Sequence, residues 1–138
     1  MQQGAAVFVD SGAWIGLALK TDARHDQKEG HLELLQEAGA RLCTSVPVVV
    51  ETFTFLDRKA YRDVALSWKD SVYERSTTKI LSCEVRDLEE SWEYFRRLDL
   101  RKLSAVDATS FAIMKRARIR VAFTFDHHFA AAGFKLVA

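Results

Sequence analysis

Short apolar runs alternate with longer stretches of helical period along this chain. Ala5 to Val9 is rich in strand formers and stops at Asp10, Ser11 and Gly12. Trp14, Ile15, Leu17, Ala18 and Leu19 follow at once with helical spacing, so a strand leads directly into a helix. After a polar stretch from Lys20 to Lys28, Leu32, Leu34, Leu35 and Ala38 predict a second helix ended by Gly39. Arg41 to Ser45 reads as the second strand. Val48 to Phe53 is β-branched and would by propensity extend it, but Pro47 suits a first helical turn and Ser45 can cap it. The helical pattern then continues through Phe55, Leu56, Tyr61, Val64, Ala65 and Trp68.

The second half repeats the alternation. Lys79 to Cys83 predicts a third strand, and Asp87 with Glu90 three residues on predicts a capped helix start. Leu88, Trp92, Phe95 and Leu98 fall on one face of that helix. A further helix spans about Ala105 to Arg118, Val121 to Phe125 is the fourth strand, and Phe134 to Val137 the last. The expected fold is one α/β domain over residues 1–138, with a parallel sheet of about five strands and helices on both faces.

Composition narrows the function. With 138 residues, 49% hydrophobic and 28% charged, the chain can bury a core and is not expected to be disordered. A net charge of +1 excludes a strongly basic nucleic-acid binder, so local basic clusters or metal ions must neutralise any phosphate. No apolar run reaches the roughly 20 residues of a membrane span. Met1 to Gly4 lacks the basic residues of a signal peptide, which fits a cytoplasmic protein. Cys43 and Cys83 are each expected in a strand as buried thiols, with no zinc spacing. Glycine-rich nucleotide loops are absent.

The candidate chemistry lies in four carboxylates. In open parallel sheets, sites form beyond the carboxyl ends of the strands. Asp10 follows the first strand, Asp126 the fourth, and Glu51 lies early in the helix after the second. Asp107 lies in the first turn of the helix before the fourth strand, and reaches that edge if this helix runs back down the sheet. Singly, each has an ordinary alternative: Asp10 and Asp107 as caps, Glu51 as a solvated residue, Asp126 as a turn former. Glu51 fits its alternative least, embedded between Val48 to Val50 and Phe53 to Phe55. Bare, four converging carboxylates would repel until some became neutral. A hard divalent cation such as Mg²⁺ or Mn²⁺ removes the conflict and suits hydrolysis of a phosphodiester.

These motifs resemble those of PIN-domain nucleases: Asp10 within Val-Phe-Val-Asp-Ser, Glu51 within Pro-Val-Val-Val-Glu-Thr, Asp107 within Leu-Ser-Ala-Val-Asp-Ala, and Asp126 within Phe-Thr-Phe-Asp-His-His-Phe. Length and the ending Ala-Ala-Gly-Phe are similar to those of small bacterial VapC-type toxins. The resemblance implies an RNA substrate and Mg²⁺ or Mn²⁺, with Asp10 and Asp107 as main metal ligands. It implies that Glu51 and Asp126 complete the site or orient water, and that Ser11 and Thr124 supply hydroxyl support. It further implies a homodimer and a cognate antitoxin in the active-site groove. One departure is His128, which stands where some members carry a further acid and weakens the case for a second metal.

Among other candidates, His25 and His127 read as exposed or locally bonded, and His128 beside Asp126 is the exception. Arg96, Arg97, Arg101 and Lys102, and Lys115, Arg116, Arg118 and Arg120, form basic clusters that could hold phosphates or simply face solvent. Trp14, Trp68, Trp92, Phe95 and Phe111 are expected in the core rather than in base stacking. A phosphotransfer reading is disfavoured because an aspartate-nucleophile phosphatase needs an acid where Gly12 stands, and a receiver domain's acidic pair is absent. A catalytically weak domain that only binds RNA or protein is the remaining alternative.

Overall fold

The computed structural model describes residues 4–74 and 77–137. Among them the chain forms strands β1 Ala6–Val9, β2 Arg41–Ser45, β3 Lys79–Leu81, β4 Val121–Phe123 and β5 Lys135–Leu136. The helices are α1 Ser11–Ala18, α2 His25–Glu37, α3 Val46–Lys59, α4 Arg62–Tyr73, α5 Val85–Phe95, α6 Ala105–Ala117 and α7 His127–Ala131. The composition of the extreme N-terminus and the outer bounds of the domain fall partly on Met1 to Gln3 and Ala138, outside the described residues.

All strand pairings are parallel, in the order β3-β2-β1-β4-β5. Val7, Phe8 and Val9 of the central strand have no exposed surface, as expected for a sheet covered on both faces. Right-handed crossovers put α1 to α4 on one face and α5 to α7 on the other. On the first face Trp14 packs edge-on against Trp68 with centroids 5.8 Å apart. On the second, Phe111 meets Phe129 at 4.8 Å and Tyr94 at 5.2 Å. The chain moves from β1 to β3 in one direction, then returns to place β4 on the other side of β1. This reversal opens a crevice at the carboxyl ends of β1 and β4.

Local signals explain several boundaries. Ser45 caps α3 by accepting from the Val48 N–H, and Pro47 sits in its first turn, so the helix overrides β-branched propensity. Gly39 takes a left-handed φ of 70° and ends α2, with the Ala40 N–H returning to the Leu35 carbonyl.

Other expectations are corrected. α2 begins at His25, taking in polar residues read as a loop. The continuous helix expected through Trp68 breaks at Ala60 and Tyr61. The Arg62 guanidinium forks onto Asp57 at 2.9 and 3.1 Å across the corner, and the turn lets Trp68 reach Trp14. β3 is short and leaves Cys83 half-buried in the following loop rather than in a strand; both cysteines are free.

α5 differs most. It starts at Val85, capped by Glu84, with Asp87 as the reciprocal partner of a capping box rather than the cap itself. Its polar residues Asp87 and Ser91 face inward, while Leu88, Trp92 and Phe95 are 49%, 53% and 41% exposed. Trp92 and Phe95 are therefore not core residues, and Leu98 lies beyond the helix, exposed. The inversion has a cause on α6: Arg116 donates to both oxygens of Asp87, at 2.8 and 2.9 Å, and to the Ser82 carbonyl. Burial pushes the Asp87 carboxyl up, but these bonds outweigh it and hold the group below its usual range.

Candidate active site

The crevice between β1 and β4 gathers the four acids unequally. Asp10 leaves β1 at the N-terminus of α1 and is 5% exposed. Its N–H donates to the Phe123 carbonyl at 3.1 Å, which ties it to β4. The Thr124 hydroxyl donates to Asp10 Oδ2 at 2.9 Å, whereas Oδ1 is enclosed and has no hydrogen-bond partner among the described residues. Asp107 lies in the first turn of α6, where its N–H donates to the Ser104 hydroxyl at 3.0 Å. α6 returns antiparallel to the strands, so its first turn stands at their carboxyl edge, the condition that the sequence left open.

Asp126 does not follow β4 directly. β4 ends at Phe123, and Asp126 is the N-cap of α7, accepting from the His128 N–H at 2.9 Å. Glu51 sits in the second turn of α3, half-buried, and accepts from the Ser11 hydroxyl. Its setting is less apolar than its neighbours in sequence suggest, because Val50, Phe53 and Phe55 point outward.

Burial dominates the electrostatics. It pushes the Asp10 carboxyl up to about 6; the Thr124 hydroxyl and the Ser11 backbone N–H oppose this, and the charges of Glu51 and Asp126 add to it. The Asp107 carboxyl rises to about 8, through burial first, then the charge of Asp10 and the hydrogen bond and charge of Asp126. Among the described residues, Asp107, Asp126 and His128 bring one ligand atom each to within 4.8 Å of one another. Glu51 is linked to the cluster through Ser11 and Asp10 rather than by direct membership. The unpartnered Asp10 Oδ1 and the raised carboxyls fit a divalent cation held by oxygen ligands.

The remaining candidates separate cleanly. Ser11 and Thr124 both bond to site acids. His25 is locally bonded, to the Gly16 carbonyl and Glu29, and His127 is exposed. Arg116 is consumed by Asp87, and Lys115, Arg118 and Arg120 cluster at the far end of α6. Arg97 pairs with Asp99. Arg101 and Lys102 are exposed on a loop whose Arg101 carbonyl touches His128, so they stand beside the site. Sequence reasoning missed the cap of Ser104; a serine three residues before Asp107 was the available signal.

Two clefts border α3. The larger, about 770 Å³ between α3 and α4, is lined by Phe53, Leu66, Trp68 and Tyr73 and contains none of the four acids. The other, about 670 Å³, includes Glu51 with Val46, Val50, Phe55 and Val106, and so adjoins the carboxylates. The chemistry therefore belongs to the crevice and not to the larger cleft.

Residues 7–135 match the PIN domain family. The 23S rRNA-specific endonuclease VapC20 of Mycobacterium tuberculosis is 37% identical over 129 residues, covering 93% of this chain and 95% of the relative. The crystal structure of VapC20, described as a Sarcin-Ricin loop cleaving toxin, superposes with a TM-score of 0.78 at 35% identity over 93% of this chain and 95% of that one. VapBC2 from Rickettsia felis, bound to a DNA fragment from its promoter, gives 0.70 at 15% identity, covering 95% and 96%. FitAcB from Neisseria gonorrhoeae gives 0.67 at 14% identity, covering 94% and 95%. At those identities the last two speak for the fold alone.

Proposed function

The chain belongs to the PIN-domain family, and from that premise we propose that it is a Mg²⁺- or Mn²⁺-dependent endoribonuclease, the toxin of a toxin–antitoxin pair. The observation that carries this reading is the convergence of Asp10, Asp107 and Asp126 in one buried crevice, with two carboxyls raised. Such an arrangement destabilises an empty site and favours a cation. Asp10 and Asp107 serve as the main ligands, and Asp126 and Glu51 complete the site or orient the attacking water. The bound ion would supply a polarised phosphoryl oxygen and a more acidic water.

The chain's own residues prepare the geometry. Thr124 holds one oxygen of Asp10, which leaves the other buried and free of a hydrogen bond among the described residues. Ser104 fixes the first turn that carries Asp107, and Ser11 fixes Glu51. Arg101 and Lys102, exposed on the loop whose Arg101 carbonyl meets His128, would neutralise incoming phosphates. The apolar cleft beside Glu51 suits an antitoxin segment that would cover the site. The outward stripe of α5 suits a second copy of the chain, giving a homodimer. Action in the cytoplasm belongs to the same proposal, and among the described residues no helix is long and apolar enough to cross a membrane.

Because VapC20 is a 23S rRNA endonuclease, 23S rRNA is the first substrate to test. Cleavage is expected with Mg²⁺ or Mn²⁺, and not with EDTA. An Asp10→Ala, Asp107→Ala double variant should leave the RNA intact. Cutting that persists in that variant would overturn the proposal.

A further inference from the structure

We propose that His128 is a metal ligand, its Nδ1 joining Asp107 and Asp126 in a mixed nitrogen and oxygen position that takes Mn²⁺ in preference to Mg²⁺. The inference rests on the reading of the crevice as a divalent-metal site. It reverses what the sequence suggests, since the loss of an acid at this position argues against a second ion.

The tautomer provides the first step. His128 Nε2 lies 2.8 Å from the Arg101 carbonyl oxygen, which can only accept, so Nε2 carries the proton. In the neutral ring, Nδ1 then presents a lone pair. That atom is shielded from solvent and makes no hydrogen bond among the described residues. It stands 2.9 Å from Asp126 Oδ1 without the angles of a hydrogen bond. Two electron-rich atoms at that distance repel unless a positive charge stands beside both; a proton on Nδ1 would not be aligned with Oδ1, whereas a metal ion can accept a lone pair from each. Neighbouring ligands of an octahedral ion stand about 3 Å apart, which matches this separation.

Three further features agree. Metal-bound histidines commonly donate their other ring N–H to a backbone carbonyl, as Nε2 does here. One carboxylate oxygen each of Asp107 and Asp126 and a ring nitrogen of His128 lie within 4.8 Å of one another. Beside them the buried Asp10 Oδ1 also has no partner among the described residues. His127, adjacent in sequence, is exposed and cannot substitute. An imidazole nitrogen favours first-row transition ions over Mg²⁺, which prefers oxygen alone.

The test uses the whole metal-free protein, titrated calorimetrically with Mn²⁺ and with Mg²⁺, and pulsed electron paramagnetic resonance of the Mn²⁺-bound form. Wild type should show a histidine nitrogen coupled to Mn²⁺. His128→Asn should lose that coupling and weaken Mn²⁺ by about tenfold or more, while Mg²⁺ changes much less. His128→Asp should retain metal without the coupling, and His127→Asn should behave as wild type. Mn²⁺ bound in wild type without nitrogen coupling would overturn the role of His128 and leave the nuclease reading intact. Wild type binding neither ion would overturn both. The wild-type spectrum decides the matter even if a His128 variant fails to fold.

Discussion

At the scale of single residues, Asp107 and Asp10 make the empty site costly. Both carboxyls titrate higher in the fold, about 8 and about 6, than their ordinary value of 3.8. The folded state therefore holds extra protons in between, so the contribution of these two groups to stability is complete below about 3.8 and is lost as pH climbs through 6 and 8. In EDTA, calorimetry should show the melting temperature dropping by roughly 5 °C or more between pH 5 and pH 9. On the proposed metal reading, saturating Mn²⁺ should flatten that slope, because the carboxylates are gathered only in the folded state. Asp107→Asn removes the repelling charge. It should raise the melting temperature at pH 8 in EDTA while lowering RNA cleavage by roughly 10²-fold or more, so stability and turnover move in opposite directions.

At the scale of elements, legibility follows how local the deciding interaction is. The start of α3 was readable because Ser45 and Pro47 carry it within one turn; Ser45→Ala should cost about 1 kcal/mol in urea unfolding. The strands were readable as apolar runs, and β1 is the clearest. The inward face of α5 was not readable. Amphipathic spacing shows that a helix has two faces but not which is buried. Here the choice depends on Arg116, 29 residues from Asp87. Arg116→Met should leave Asp87 buried without its cation and cost about 2–4 kcal/mol by the same measurement. A loss below about 0.5 kcal/mol would show that the pair does not hold α5.

At the scale of the whole molecule, the strand order does what no single motif can. Asp10 follows β1 directly and Asp126 comes shortly after β4 as the N-cap of α7, so both stand at the carboxyl edge. Asp107 needed the antiparallel return of α6, which only the assembled sheet supplies. His128 looked like a lost ligand because sequence gives no ring orientation; the Arg101 carbonyl sets it from another loop. The same assembly leaves the α5 stripe uncovered. Light scattering should find a dimer, and Trp92→Lys should give a monomer that still binds Mn²⁺; a monomeric wild type would remove this face from consideration. The reversal at β1 also fixes an order in time. Asp10 is made early, but its partners at 107, 126 and 128 follow much later in the sequence. A chain emerging from the ribosome therefore carries Asp10 without these partners until residues 107 to 128 have followed it, and the site is assembled only then.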